Sequence, residues 1–201
     1  MKKKSTFVKD TLALTIITLV AGLCLAFVNE ITKGPIAEAE QRAKTAAYYA
    51  VYADAEKFDE SEDLNAYIKS GDYTKALSSA GVKNASVIEA YEAVDAGGNV
   101  IGYVMSAKAT KAFDGDLTIS IGVSNEGKVT GIEFIDIHET AGMGMNAKDK
   151  PEWRTQFYGQ DADSFTVGEN IEGLSGATIT SKAVTGAVNS ALVLAKGFGG
   201  K

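Results

Sequence analysis

The chain has 201 residues, 45% of them hydrophobic and 23% charged, with a formal net charge of −6. Those fractions exclude a disordered chain, and the acidic balance excludes a nucleic-acid binder, which needs a basic face for phosphates. One cysteine, Cys24, and one histidine, His138, exclude an intramolecular disulfide, a thiolate-held zinc or iron–sulfur centre and a bis-histidine haem.

The charge is unevenly spread. Lys2, Lys3, Lys4 and Lys9 outweigh Asp10, so residues 1–28 carry +3 and the remaining 173 carry −9. From Thr11 to Val28 run 18 uncharged, mostly apolar residues. As a helix they span about 27 Å, close to the hydrocarbon thickness of a bilayer. A cleaved signal peptide has a shorter apolar core and a small-x-small step, whereas this run ends Leu25-Ala26-Phe27-Val28. A lipoprotein signal has a small residue before its cysteine, and here Leu23 precedes Cys24. Residues 11–28 are therefore predicted to be an uncleaved transmembrane helix in membrane lipid. The positive-inside rule puts residues 1–10 in the cytoplasm and the rest of the chain outside.

Pro35 follows, and the Ala-rich, charged stretch Ile36–Val51 predicts a helix rising from the membrane. Residues 52–86 are polar, with short helical patterns around Asp63–Lys69 and Tyr73–Ala80. Together, 29–86 read as a helical connecting region. Its tyrosines Tyr48, Tyr49 and Tyr52 are assigned to packing.

From Val87 the hydrophobic period becomes two. Val87–Asp95 and Val100–Ala107 flank the hairpin signal Ala96-Gly97-Gly98-Asn99. Leu117–Val123 and Val129–Ile137 flank the turn Asn125-Glu126-Gly127. The four segments predict an antiparallel meander with one buried face. Residues 138–150 read as irregular, and Glu152–Tyr158 as one or two helical turns. Thr180–Lys196 reads as a helix with Val184, Val188 and Leu192 along one face and a close-packing row of alanines. Residues 87–201 are thus expected to be an α+β domain of antiparallel sheet and packed helices.

Two segments are candidates for chemistry. Leu174-Ser175-Gly176-Ala177-Thr178-Ile179-Thr180-Ser181 opens the last helix. It fits a structural role, with Thr180 or Ser181 capping the first turn and Gly176 making a tight bend. The residues by themselves favour that structural role; an anion site is the alternative, because free N–H groups and the helix dipole attract phosphate, and four hydroxyls exceed what a cap needs. Gly173-Leu174-Ser175-Gly176-Ala177 misses the nucleophile elbow of hydrolases, because Ala177 replaces the last glycine and His138 precedes the serine. The second segment, His138-Glu139-Thr140-Ala141-Gly142-Met143-Gly144, leaves a predicted buried strand, a common position for a ligand loop. No metal site is expected from it.

The membrane helix, the α/β domain, the His-Glu-Thr-Ala-Gly-Met-Gly loop and the Ser-Gly-Ala-Thr-Ile-Thr-Ser motif, in that order, resemble the G subunit family of the Rnf complex. The C subunit of the sodium-translocating NADH:quinone reductase is a close relative of that family. The resemblance implies FMN joined by a phosphoester to Thr178, installed outside the cytoplasmic membrane by a flavin transferase. It also implies a role as an electron relay, without turnover of its own. The surrounding membrane complex would couple ferredoxin oxidation and NAD reduction to sodium or proton transport. Ser175, Thr180 and Ser181 would donate hydrogen bonds to the cofactor, Lys182 would offset charge, and Gly176 and Ala177 would leave room. Glu139, Thr140, Gly142 and Met143 would line the isoalloxazine ring, with His138 either bonding it or supporting the loop. Trp153 is assigned to packing. The motif departs from the family in Glu172, where an aspartate is usual, and in Ala141 and Met143, where proline and leucine are usual. A related FMN carrier in another electron-transfer system, or a tethered interaction module with a mere cap, are the competing readings.

Overall fold

A computed structural model of the chain describes residues 3–199. Lys2 of the basic cluster and the last two residues of the 87–201 segment lie outside the described residues. The chain divides into two compact units, Met1–Arg42 and Ala43–Lys201.

The first unit is helix α1 (Lys3–Val51) up to Arg42. The expected span and the expected Ile36–Val51 helix are continuous through Pro35. Proline removes one N–H from the helical ladder, a single missing bond in 49 residues. Large apolar side chains from Phe7 to Ile36 are exposed, and an 18-residue window has a mean hydropathy of 2.5 with none of it buried. Hydroxyls within this run are tied back to the helix: Thr11 Oγ1 donates to the Phe7 carbonyl and Thr15 Oγ1 to that of Thr11, both at 2.8 Å. A helix with apolar side chains exposed on every face suits a single-pass membrane anchor, where lipid covers them.

The second unit is built on a five-stranded antiparallel sheet in the order β1 (Lys57–Glu60), β2 (Ala85–Val94), β3 (Val100–Ala112), β4 (Gly115–Ser124) and β5 (Val129–Ile137). The last four are the expected meander, except that apolar residues are buried on both of its faces rather than on one, because the end of α1 covers the second. The hairpin between β3 and β4 is tighter than the pattern suggested: Ala112 pairs with Gly115, leaving only Phe113 and Asp114 in the turn. Strand β1 had no signal, because four residues reading Lys-Phe-Asp-Glu at a sheet edge bury little. Of the 29–86 stretch, residues from Ala43 onward belong to this unit, including β1, α2 (Glu62–Ile68) and α3 (Gly71–Ser79).

Alternation along the strands gives the sheet two apolar faces. On one, Met105, Ala107, Leu117, Ile119 and Ile121 lie beneath α6 (Thr178–Gly199), whose Val184, Ala187, Val188, Ala191 and Leu194 are fully buried. Small α6 residues allow this approach, with Gly186 lying against Ala85. The other face takes the last turns of α1: Tyr48 and Val51 pack with Ala93 and Val104, flanked by Phe58 and Tyr91. Beneath that helix end lies a patch of glycines. A Cβ on Gly122 would stand 2.9 Å from the Val51 carbonyl oxygen, and one on Gly131 would stand 3.0 Å from Val51 Cα.

Tyr73 ties three elements together. Its hydroxyl donates to the Ser190 carbonyl of α6 at 3.1 Å and accepts from the Val87 N–H of β2 at 3.0 Å. Burial pushes this hydroxyl up to about 12. An unfolded tyrosine ionises near its ordinary value, so this part of the stability is complete below about pH 10 and falls as pH rises towards 12. Tyr73→Phe is expected to cost about 1–3 kcal/mol near neutral pH, since it leaves a buried N–H without an acceptor. It should also flatten the alkaline loss of stability. Urea denaturation at a series of pH values measures both effects.

Candidate functional site

The last helix begins without a cap. Leu174 to Ala177 form a turn closed by the Ala177 N–H to the Leu174 carbonyl at 3.0 Å, with Gly176 at φ +75 in the position that favours glycine. The first helical bond runs from the Ser181 N–H to the Ala177 carbonyl, which places an alanine, with no side-chain acceptor, at the cap position. The two hydroxyls expected as caps are used elsewhere. Ser181 Oγ accepts from the Leu174 N–H and donates to the Ala177 carbonyl, both at 2.9 Å, strapping the loop to the helix. Thr180 Oγ1 donates to Glu139 Oε2 at 3.1 Å. Among the described residues, no group accepts from the N–H of Thr178, Ile179 or Thr180, and the exposed Thr178 hydroxyl has no partner. The positive end of a 22-residue helix is thereby left open beside a free hydroxyl.

This helix end forms one wall of a cleft of about 270 Å³. A second wall is the loop after β5, contributing Glu139, Thr140, Met143 and Gly144, and the third is Phe113 from the β3–β4 turn. Glu139 holds the three together. Its Oε1 accepts from the N–H of Phe113 at 2.8 Å and of Asp114 at 3.3 Å, while Oε2 takes the Thr180 hydroxyl. The carboxylate is therefore engaged in setting the width of the cleft. Phe113, Met143 and Ile179 remain 65%, 45% and 52% exposed around the opening, an unusual density of bare apolar side chains. Gly144 packs directly on the clamp: a Cβ there would overlap Glu139 Oε2 and lie 2.8 Å from Thr180 Oγ1. Gly144→Ala is expected to separate that pair, lower stability by about 1–3 kcal/mol and spread the cleft. Thermal denaturation, together with loss of protection of the 113–114 amides in hydrogen exchange, checks this.

Of the residues singled out from the sequence, Glu139, Thr140, Met143, Gly176, Ala177, Thr178 and Thr180 come together in the cleft. Ser175 and Gly142 are exposed neighbours outside its lining, and Gly142 uses its carbonyl to accept from Asn146 Nδ2 at 2.8 Å. Ser181 is buried behind the turn. Lys182 lines a separate cleft with Lys83 and Lys111. His138 sits in solvent against Asp136, Nε2 to Oδ1 3.2 Å, and does not line the cleft. Trp153 is a packing residue: its indole N–H donates to the Glu172 carbonyl at 2.7 Å and its ring meets Phe157 edge to face. Phe113, Gly144 and Ile179 were not singled out as site residues. An aromatic residue between alanine and Asp-Gly, in a stretch with no buried partner of its own, was the available signal for Phe113.

Comparison with known proteins adds two family matches and three relatives. Residues 113–193 match the family described as the FMN-binding domain, so the match begins at Phe113 and takes in the whole cleft. Residues 1–51 match the family described as the RnfG N-terminal region, the bounds of which end with α1. The chain is 33% identical, over 90% of its length and 87% of the relative's, to the G subunit of the Na(+)-translocating ferredoxin:NAD(+) oxidoreductase complex of Acetobacterium woodii. It is 30% identical, over 100% and 98%, to the G subunit of the proton-translocating ferredoxin:NAD(+) oxidoreductase complex of Clostridium ljungdahlii. The G subunit of the ion-translocating oxidoreductase complex of Methanosarcina acetivorans is 34% identical over 53% of this chain and 57% of its own.

Proposed function

Because the chain belongs to the G subunit family of ion-translocating ferredoxin:NAD oxidoreductase complexes, we propose that it is a membrane-anchored electron carrier whose FMN is esterified to Thr178. Its partners are then the other subunits of such a complex, with a flavin transferase needed for maturation. The coupled ion is sodium or a proton, the two that the relatives' names give. The lysines before the span favour a cytoplasmic N-terminus and an external FMN domain.

The observation that carries the reading is the free Thr178 hydroxyl on an uncapped helix end at the mouth of an apolar-rimmed cleft. A phosphodiester keeps one negative charge, and the N–H groups of Thr178, Ile179 and Thr180 are oriented to stabilise it. Phe113, Met143 and Ile179 provide apolar contact for a ring and exclude water from its faces. Thr140 lies on the opposite wall as a polar contact. Glu139 fixes the distance between the walls, with its oxygens committed to Phe113, Asp114 and Thr180. Ser181 holds the Leu174–Ala177 turn against the helix so that Thr178 is presented outward. FMN, when bound, supplies one- and two-electron redox chemistry. Its covalent attachment prevents loss to the outside.

Peptide mapping of the full chain, made in cells containing a flavin transferase, tests this. Trypsin releases residues 155–182 as one peptide, because no lysine or arginine intervenes between Arg154 and Lys182. The expected result is a flavin phosphate on that peptide, localised by fragmentation to Thr178. An unmodified peptide, from cells that do flavinylate a control protein, overturns the covalent reading and favours a tethered interaction module.

A further inference from the structure

The second cleft, of about 210 Å³, adjoins the first across Ile179, which lines both. Three lysines from three different elements converge on it: Lys83 before β2, Lys111 at the end of β3 and Lys182 in the second turn of α6. No carboxylate lines it, and none of the three lysines makes an ion pair among the described residues. Lys44, Lys57, Lys75, Lys108, Lys128 and Lys196 all reach a carboxylate, and the other lysines of this unit without an ion pair among the described residues, Lys69, Lys148 and Lys150, lie outside the cleft lining. The setting sharpens this. Residues 43–201 contain 14 basic and 22 acidic residues, yet the surface beside the cleft is locally basic. Asn84, also in the lining, is the single non-glycine residue with positive φ among the described residues, at 60. Held left-handed, it presents a side chain without a hydrogen-bond partner among the described residues beside Lys83.

We propose that this lysine cleft docks an acidic surface of the redox partner subunit that exchanges electrons with the neighbouring site. The proposal rests on the preceding reading that the neighbouring cleft carries the flavin. Bare apolar side chains at Phe113 and Ile179 with charged groups beside them form the core-and-rim arrangement of a protein interface. Unpaired cations on an otherwise acidic domain give orientation, since a partner with acidic groups is repelled by most of the surface and attracted here. Contact at this position brings the partner next to the flavin cleft.

Zero-length carbodiimide cross-linking of the intact complex tests the contact without any mutation. Amide links from Lys83, Lys111 or Lys182 to aspartate or glutamate of another subunit are expected. Links at other lysines with none at these three overturn the proposal. As a second measurement, the Lys83→Glu/Lys111→Glu variant is assembled into the complex. It should keep its flavin while ferredoxin-driven NAD reduction falls about tenfold at low ionic strength. The gap should narrow to about twofold near 0.5 M salt, as screening slows the unmodified complex. A variant with the unmodified rate at low salt, or one that loses its flavin, overturns the proposal. A wild-type chain without covalent flavin refutes the preceding reading instead, and the cross-links then still report whether the cleft is an interface.

Discussion

Thr178→Ala is expected to abolish covalent flavin while leaving a folded, anchored chain. The side chain is exposed and its hydroxyl has no partner among the described residues, so its removal breaks no hydrogen bond there. Alanine is also the better helix former, and the change in stability should stay within about 0.5 kcal/mol. Fluorescence of the denatured, size-resolved chain should vanish completely, because an ester needs the hydroxyl oxygen. Thr178→Ser restores that oxygen on the same backbone and should restore part of the signal. Ferredoxin-driven NAD reduction by a complex containing the alanine variant should fall to the level of a complex lacking this subunit. Fluorescence surviving in the alanine variant would move the attachment point, with Thr180 an unsuitable candidate because it is buried and bound to Glu139.

Gly122→Val is expected to have the largest effect on the fold while lying on the sheet face away from α6. A Cβ at this position would overlap Thr130 Oγ1 and stand 2.9 Å from the Val51 carbonyl oxygen. The latter is backbone, so the end of α1 has to lift. Lifting it breaks the bond from Thr130 Oγ1 to the Val51 carbonyl at 3.3 Å and the placement of the Tyr52 hydroxyl, 3.1 Å from the Val123 carbonyl. It also exposes Tyr48 and Val51, which are now buried. Overpacking together with this exposure should cost about 3 kcal/mol or more, close to 10 °C in melting temperature for a unit of this size. Calorimetry of the full chain in detergent measures it. A shift under about 2 °C would show that the helix end is not seated on the glycine patch.

Much of the fold was legible because its signals are local. The 11–28 run is apolar over a membrane's thickness, β2 to β5 alternate with period two, and α6 shows a clean apolar stripe. β1 was illegible for the converse reason: four residues at an edge, anchored by pairing Lys57 with Val94 and Glu60 with Tyr91, carry no pattern of their own. The small-residue motif before α6 could be found in the sequence, but its wiring could not. Thr180 and Ser181 looked interchangeable as caps, whereas one bonds a carboxylate 41 residues away and the other an N–H seven residues back. Lys182, next in the chain, turned to a different cleft because a helix advances about 100° per residue.

The sequence alone therefore determined the anchor, the family and every sheet strand but β1, since each is written in short-range periodicity or in a contiguous motif. The tertiary structure decided which residues share a site. Sheet register carries the Phe113 turn to the loop after β5, and the packing of α6 on the sheet brings its open end to both. Glu139 acquired its clamp role in the same way, through bonds to residues 26 and 41 positions distant. Such contacts depend on strand pairing and helix packing across the whole unit, and no local pattern encodes them.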